Sequence, residues 1–156
     1  MVRKLYLLRH GQAAVEHGFR DFDRHLTPTG NRQLSALATR LKGLGFYPDK
    51  IYSSPSKRTR ETAAIVSHEL NYLLPIEYID GIYEASVKTL FDMVVQSDDS
   101  CQSLLIIGHN PAISYLFEYL TDSDYVGMTP GEIICVEFEN LQWSEVSKGL
   151  GRKGKV

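Results

Sequence analysis

The chain has 156 residues, of which 43% are hydrophobic and 23% charged. That length and balance predict one soluble globular domain over 1–156 and exclude a disordered chain. A formal net charge of −2, from 17 basic and 19 acidic residues, gives no general attraction to nucleic acid or to an anionic membrane.

No apolar run is long enough to span a bilayer, and Arg9 and His10 end the first one too early for a signal peptide. Cys101 and Cys135 stand in no metal-like or redox spacing, so reduced thiols and a cytoplasmic location are expected.

In chain order, Lys4 to Arg9 reads as a buried strand and residues 11–26 as a loop. Thr27-Pro28 opens a helix, with Thr as N-cap and Pro at the first helical position. Leu34, Leu37, Ala38 and Leu41 give it one apolar stripe, and Gly43 and Gly45 are stops. Lys50 to Ser53 is the next strand, and Ser54-Pro55 repeats the helix-start signal for a helix reaching Leu70, with Ile65, Val66 and Leu70 inward. Ile76 to Ile79 is a short strand, and Ser86 caps a helix carrying Val87, Leu90, Phe91 and Val94.

Leu104 to Ile107 is a continuous apolar run, as in a strand covered on both faces. Asn110-Pro111 opens a fourth helix. Ile134, Val136 and Phe138 alternate with Cys135, Glu137 and Glu139, which predicts a last strand with one less buried face. From Lys148 the Gly- and Lys-rich tail, 148–156, is expected to be mobile. The alternation predicts an α/β layered fold with a largely parallel sheet, and it leaves strand order open.

In such sheets ligands bind beyond the carboxyl ends of the strands. Three segments place polar groups there: Arg9-His10-Gly11, then Ser53-Ser54-Pro55 with Arg58 in the following helical turn, then Gly108-His109-Asn110. Arginine supplies a planar fork of donors that fits phosphate oxygens, and histidine a ring nitrogen nucleophilic near neutral pH. Glycine lets the backbone approach a ligand. Taken singly, Arg9 could pair with a carboxylate, Arg58 could be solvated and His109 merely structural. Together they favour an anion site. A metal is the rival reading for two histidines, weakened by the adjacent Arg9 and by the lack of an obvious third ligand.

These motifs, in this order, resemble the histidine phosphatase superfamily, the phosphoglycerate-mutase-like group. Leu8-Arg9-His10-Gly11 matches its signature, Ser53-Ser54-Pro55 with Arg58 and Thr62-Ala63 its second motif, and Gly108-His109-Asn110 its third. Within it the chain is most similar to SixA-type phosphohistidine phosphatases. Its length, His25-Leu26-Thr27-Pro28-Thr29-Gly30, Ile82-Tyr83-Glu84-Ala85 and Trp143 carry that likeness. Gln12 stands where an acidic residue is common, and His25 where proline is common. Larger relatives roof the site with an insertion, whereas here only a few residues separate Ile79 from Ser86.

The resemblance implies a three-layer α/β/α fold with a mostly parallel sheet. It implies hydrolysis of phosphate from a phosphorylated protein, such as a histidine phosphotransfer domain, without metal or other cofactor. His10 would attack phosphorus and form a phosphohistidine intermediate. Arg9, Arg58 and a protonated His109 would stabilise the oxygens, with Gly11 and Asn110 helping to bind phosphate. Glu84 is the candidate proton donor, with Asp21, Asp23 and Glu16 as others. A phosphomonoesterase or mutase acting on a small metabolite, and a silent phosphoprotein-binding module, are the alternatives.

Overall fold

A computed structural model describes residues 1–125 and 127–156. The strands are β1 (Val2–Arg9), β2 (Lys50–Ser53), β3 (Ile76–Tyr78), β4 (Ser103–Gly108), β5 (Ile133–Glu139) and β6 (Arg152–Gly154). The α-helices are α1 (Pro28–Gly43), α2 (Lys57–Glu69), α3 (Val87–Val95) and α4 (Ala112–Thr121). They form one sheet of order β3-β2-β4-β1-β5-β6. β3, β2, β4 and β1 run parallel, and β5 runs against both β1 and β6.

Each face of the sheet carries its own core. Leu34, Leu37, Ala38 and Leu41 of α1 and Ala63 and Val66 of α2 pack with Leu8, Ile51, Leu105 and Ile107. Leu90 and Val94 of α3 and Ile113, Leu116 and Phe117 of α4 pack with Leu5, Leu7, Leu104 and Ile106 on the other face. The result is the expected α/β/α sandwich. On β5, Ile134, Val136 and Phe138 are buried while Cys135, Glu137 and Glu139 pass from buried through half-buried to exposed, so this strand has the one less buried face that its alternation predicts.

Local signals explain the helix starts. Thr27 Oγ1 accepts from the Gly30 amide, and Ser86 Oγ from that of Thr89. α2 departs from expectation: it begins at Lys57, because Ser54 Oγ is engaged with His109 and the Ser56 amide. The tail departs too. Residues 152–154 form β6 on the edge of the sheet, where a mobile segment was expected. Gly151 is what admits it, since a Cβ there would collide with Val136 and Phe138.

β1 and β4 are neighbours whose following helices lie on opposite faces of the sheet, which opens a crevice beyond their carboxyl ends. The register pairs Arg9 with Gly108 and Ser53 with Ile107. The residues that follow, His10, Ser54 and His109, therefore emerge side by side.

Candidate active site

The His10 and His109 rings face each other across this crevice, with centroids 5.2 Å apart. His10 is buried, and its Nδ1 lies 2.7 Å from the Gly11 carbonyl oxygen. A carbonyl only accepts, so Nδ1 carries the proton and Nε2 keeps its lone pair. Burial, aided by Arg58 and Arg9, lowers the His10 pKa from 6.5 to about 4. The ring is neutral at physiological pH, as a nucleophile must be.

Gly11 fits here because the chain passes tightly over α1. A Cβ at Gly11 would lie 2.8 Å from Leu34 Cδ1, and one at Gly30 would collide with the Gln12 carbonyl.

Arg9 leaves the end of β1 and donates from Nη1 to the Met128 carbonyl at 2.8 Å. Arg58, in the first turn of α2, is buried. It donates from Nη1 to the Asp21 carbonyl at 2.7 Å, and from Nη2 to Asp21 Oδ2 at 3.1 Å and to His109 Nδ1 at 3.3 Å. The Nε–H groups of Arg9 and Arg58 are both buried without an acceptor. Two unsatisfied guanidinium donors beside two histidines make a site that gains from an anion.

Since Arg58 only donates, His109 accepts at Nδ1, so its Nε2–H donates to Ser54 Oγ at 2.8 Å. Burial, Arg58 and His10 lower the His109 pKa to about 3. The free site therefore holds a neutral His109; the protonated form that the resemblance implies belongs to its role on bound phosphoryl oxygens. Two arginines and a second ring leave no room for another positive charge until an anion arrives.

The structure thus brings Arg9, His10, Arg58 and His109 together. Gly11 and Asn110 lie at the same edge, but their polar groups brace the chain. The Gly11 amide donates to Thr62 Oγ1 at 3.3 Å. Asn110 Nδ2 donates to the Met128 carbonyl, and its Oδ1 accepts from Ser114. Glu84 is exposed, has a positive φ of 57°, and makes no hydrogen bond to the four central residues.

The linker before α3 instead delivers Tyr83, whose hydroxyl donates to Asp21 Oδ2 at 2.7 Å. The sequence offers Asp21 only as a further candidate proton donor, a role its ion pair with Arg58 does not fit. Tyr83 carried no signal beyond its place in the motif before α3. Ser54 and Thr62, both within the second motif, and the Met128 carbonyl complete the frame; Met128 carried no signal in the sequence. Among the described residues no three His, Cys, Asp or Glu side chains converge as metal ligands would.

The family model of the histidine phosphatase superfamily (branch 1) matches residues 5–97, and the chain belongs to that family. It is a phosphatase, a hydrolase with a histidine nucleophile. An uncharacterised protein of Mycobacterium tuberculosis is 28% identical over 91% of this chain and 93% of its own. A broad-specificity phosphatase of Saccharomyces cerevisiae is 34% identical over 59% of this chain and 42% of its own. Among solved structures, a candidate phosphohistidine phosphatase SixA from Agrobacterium tumefaciens superposes with TM-score 0.82 at 29% identity, covering 87% of this chain and 92% of that one. A protein histidine phosphatase SixA complexed with tungstate gives 0.83 at 24% identity, covering 97% and 94%, which supports the shared fold.

Proposed function

We propose that this protein is a phosphohistidine phosphatase acting on a phosphorylated protein through a phosphorylated His10. The observation that carries the reading is the His10 tautomer: its Nδ1–H is fixed to the Gly11 carbonyl, which leaves Nε2 free to attack. In the first step the Nε2–P bond forms and the bond from phosphorus to the leaving group breaks. The phosphorylated ring is then an imidazolium whose Nδ1–H stays on the Gly11 carbonyl. Water attacks phosphorus in the second step, the P–N bond breaks, and His10 departs as a neutral imidazole. Arg9, Arg58 and His109 are assigned to the phosphoryl oxygens, and Gly11 and Asn110 to bracing them. Binding of the dianion raises the His109 pKa toward the protonated form, because a negative charge favours it.

The leaving group is argued from the proton supply. An alkoxide needs an acid, whereas a phosphoimidazole protonated on its far nitrogen departs as a neutral ring. Asp21 is held well below the usual carboxylate range, chiefly by the Tyr83 hydroxyl and further by Arg24 and Arg58, so it holds no proton to give. Glu84 makes no bond into the site. This supports P–N over P–O substrates, as does the short linker between β3 and α3, which leaves no inserted roof. The free thiols of Cys101 and Cys135 fit a reducing cytoplasm.

The deciding experiment compares kcat/KM for a phosphorylated histidine phosphotransfer domain with that for a panel of phosphate esters. We expect the phosphohistidine substrate to lead by about a hundredfold or more, a transition-state difference of about 3 kcal/mol. Esters turned over equally well would favour a broad phosphomonoesterase, the reading to which the yeast relative points.

A further inference from the structure

We propose that Asp21 and Tyr83 form a positioning clasp that orients the Arg58 fork before the phosphoryl group arrives. The inference rests on the reading of Arg58 as a phosphate-binding residue. The clasp joins two segments far apart in sequence, the loop between β1 and α1 and the linker between β3 and α3. Tyr83 donates to Asp21 Oδ2 at 2.7 Å, and Arg24 Nη1 donates to Oδ1 at 3.0 Å, which fixes the carboxylate from both sides. That carboxylate and its own backbone carbonyl accept from both terminal nitrogens of Arg58. The Tyr83 ring stands edge-on to Phe22 at 5.1 Å and to His109 at 5.7 Å, so the same residue also walls the second histidine.

The donor count shows why this contact orients Arg58 without consuming it. A guanidinium has five N–H donors. Asp21 takes one from Nη1 and one from Nη2, and His109 takes another from Nη2. The Nε–H, buried without an acceptor, and one Nη1–H remain for an anion. An arginine left free would have to freeze its long stem in each catalytic cycle. The clasp freezes it in advance, and positions His109 through the Nη2 contact. Asp21 is therefore a positioning residue in anionic form rather than a proton donor.

The test uses Tyr83→Phe, which keeps the ring and removes only the hydroxyl, with p-nitrophenyl phosphate as substrate because its leaving group needs no acid. We expect kcat/KM to fall about three- to tenfold, the worth of one hydrogen bond, with the thermal midpoint little changed. The same substitution placed in Arg58→Lys, which keeps the charge and loses the fork, should have no further effect, because the pathway through the fork is already gone.

Asp21→Asn serves as the second variant. It should lower kcat/KM at least as much as Tyr83→Phe, and likewise have no added effect in Arg58→Lys. Wild-type turnover in a folded Tyr83→Phe would overturn the proposal, as would the same loss in both backgrounds, which would mark Tyr83 as acting elsewhere. Wild-type turnover in Arg58→Lys would remove the reading of the site itself, an outcome distinct from failure of the clasp alone.

Discussion

Lowering the pH should unfold this protein through its two central histidines before its carboxylates titrate. Burial holds the folded pKa of His10 at about 4, against an ordinary 6.5. Between those values the unfolded chain binds the proton and the folded chain does not. Stability is therefore fully present above 6.5 and lost as pH falls toward 4. At about pH 4.5 the loss from His10 is about 2 to 3 kcal/mol. His109, depressed further to about 3, adds a loss of the same order. Asp21 does not confuse the measurement, because a depressed carboxylate loses its contribution only below its ordinary 3.8.

The assay is urea unfolding of wild type and His10→Ala in steps from about pH 7 to about pH 4.5, with the slope m checked at each step. The cavity left by the substitution lowers stability at every pH and cancels in the comparison. Wild type should lose about 2 to 3 kcal/mol more than the variant over that range. Parallel curves would refute the reasoning, because His10 would then titrate alike in both states.

In activity assays, His10→Ala should abolish hydrolysis while near-ultraviolet circular dichroism reports a folded protein, and a rapid quench of wild type should trap an acid-labile, base-stable phosphoenzyme that the variant lacks. Glu84→Gln should change ester and phosphohistidine turnover alike, by less than about twofold; a selective loss on esters would make Glu84 the acid after all. Gly30→Ala should destabilise by about 2 kcal/mol or more in chemical unfolding, because the new methyl meets the Gln12 carbonyl rather than a flexible side chain.

What was legible in the sequence follows a physical division. β1 and β4 carry apolar runs because both their faces are covered, so composition alone exposed them. Thr27 and Ser86 were legible as caps because their hydroxyl oxygens accept from amides three residues on, a contact that local spacing alone dictates. Ser54 looked like a cap and is not one, since its oxygen is spent on a residue 55 positions away. β6 has no apolar signal at all: backbone pairing to β5 and the space at Gly151 hold it in place.

The four central residues could be named because three strand ends share one edge in any fold of this kind. Asp21 and Tyr83 could not be assigned their contact, because it depends on two irregular segments meeting in space. The protonation state of His109 was also beyond the sequence, being set by burial and by its distance from Arg58.

The strand that carries Arg9 lies inside the sheet, hydrogen-bonded to β4 on one side and β5 on the other. The amide of Arg9 is tied to the Glu132 carbonyl and that of His10 to Gly108. Asp21 and Tyr83 sit on short 3₁₀ and linker segments at the surface. Amide exchange should divide along the same line. The backbone under the nucleophile exchanges only when the whole sheet comes apart, and the segments around it exchange in smaller, cheaper openings. Opening at the rim therefore leaves the attacking nitrogen in place.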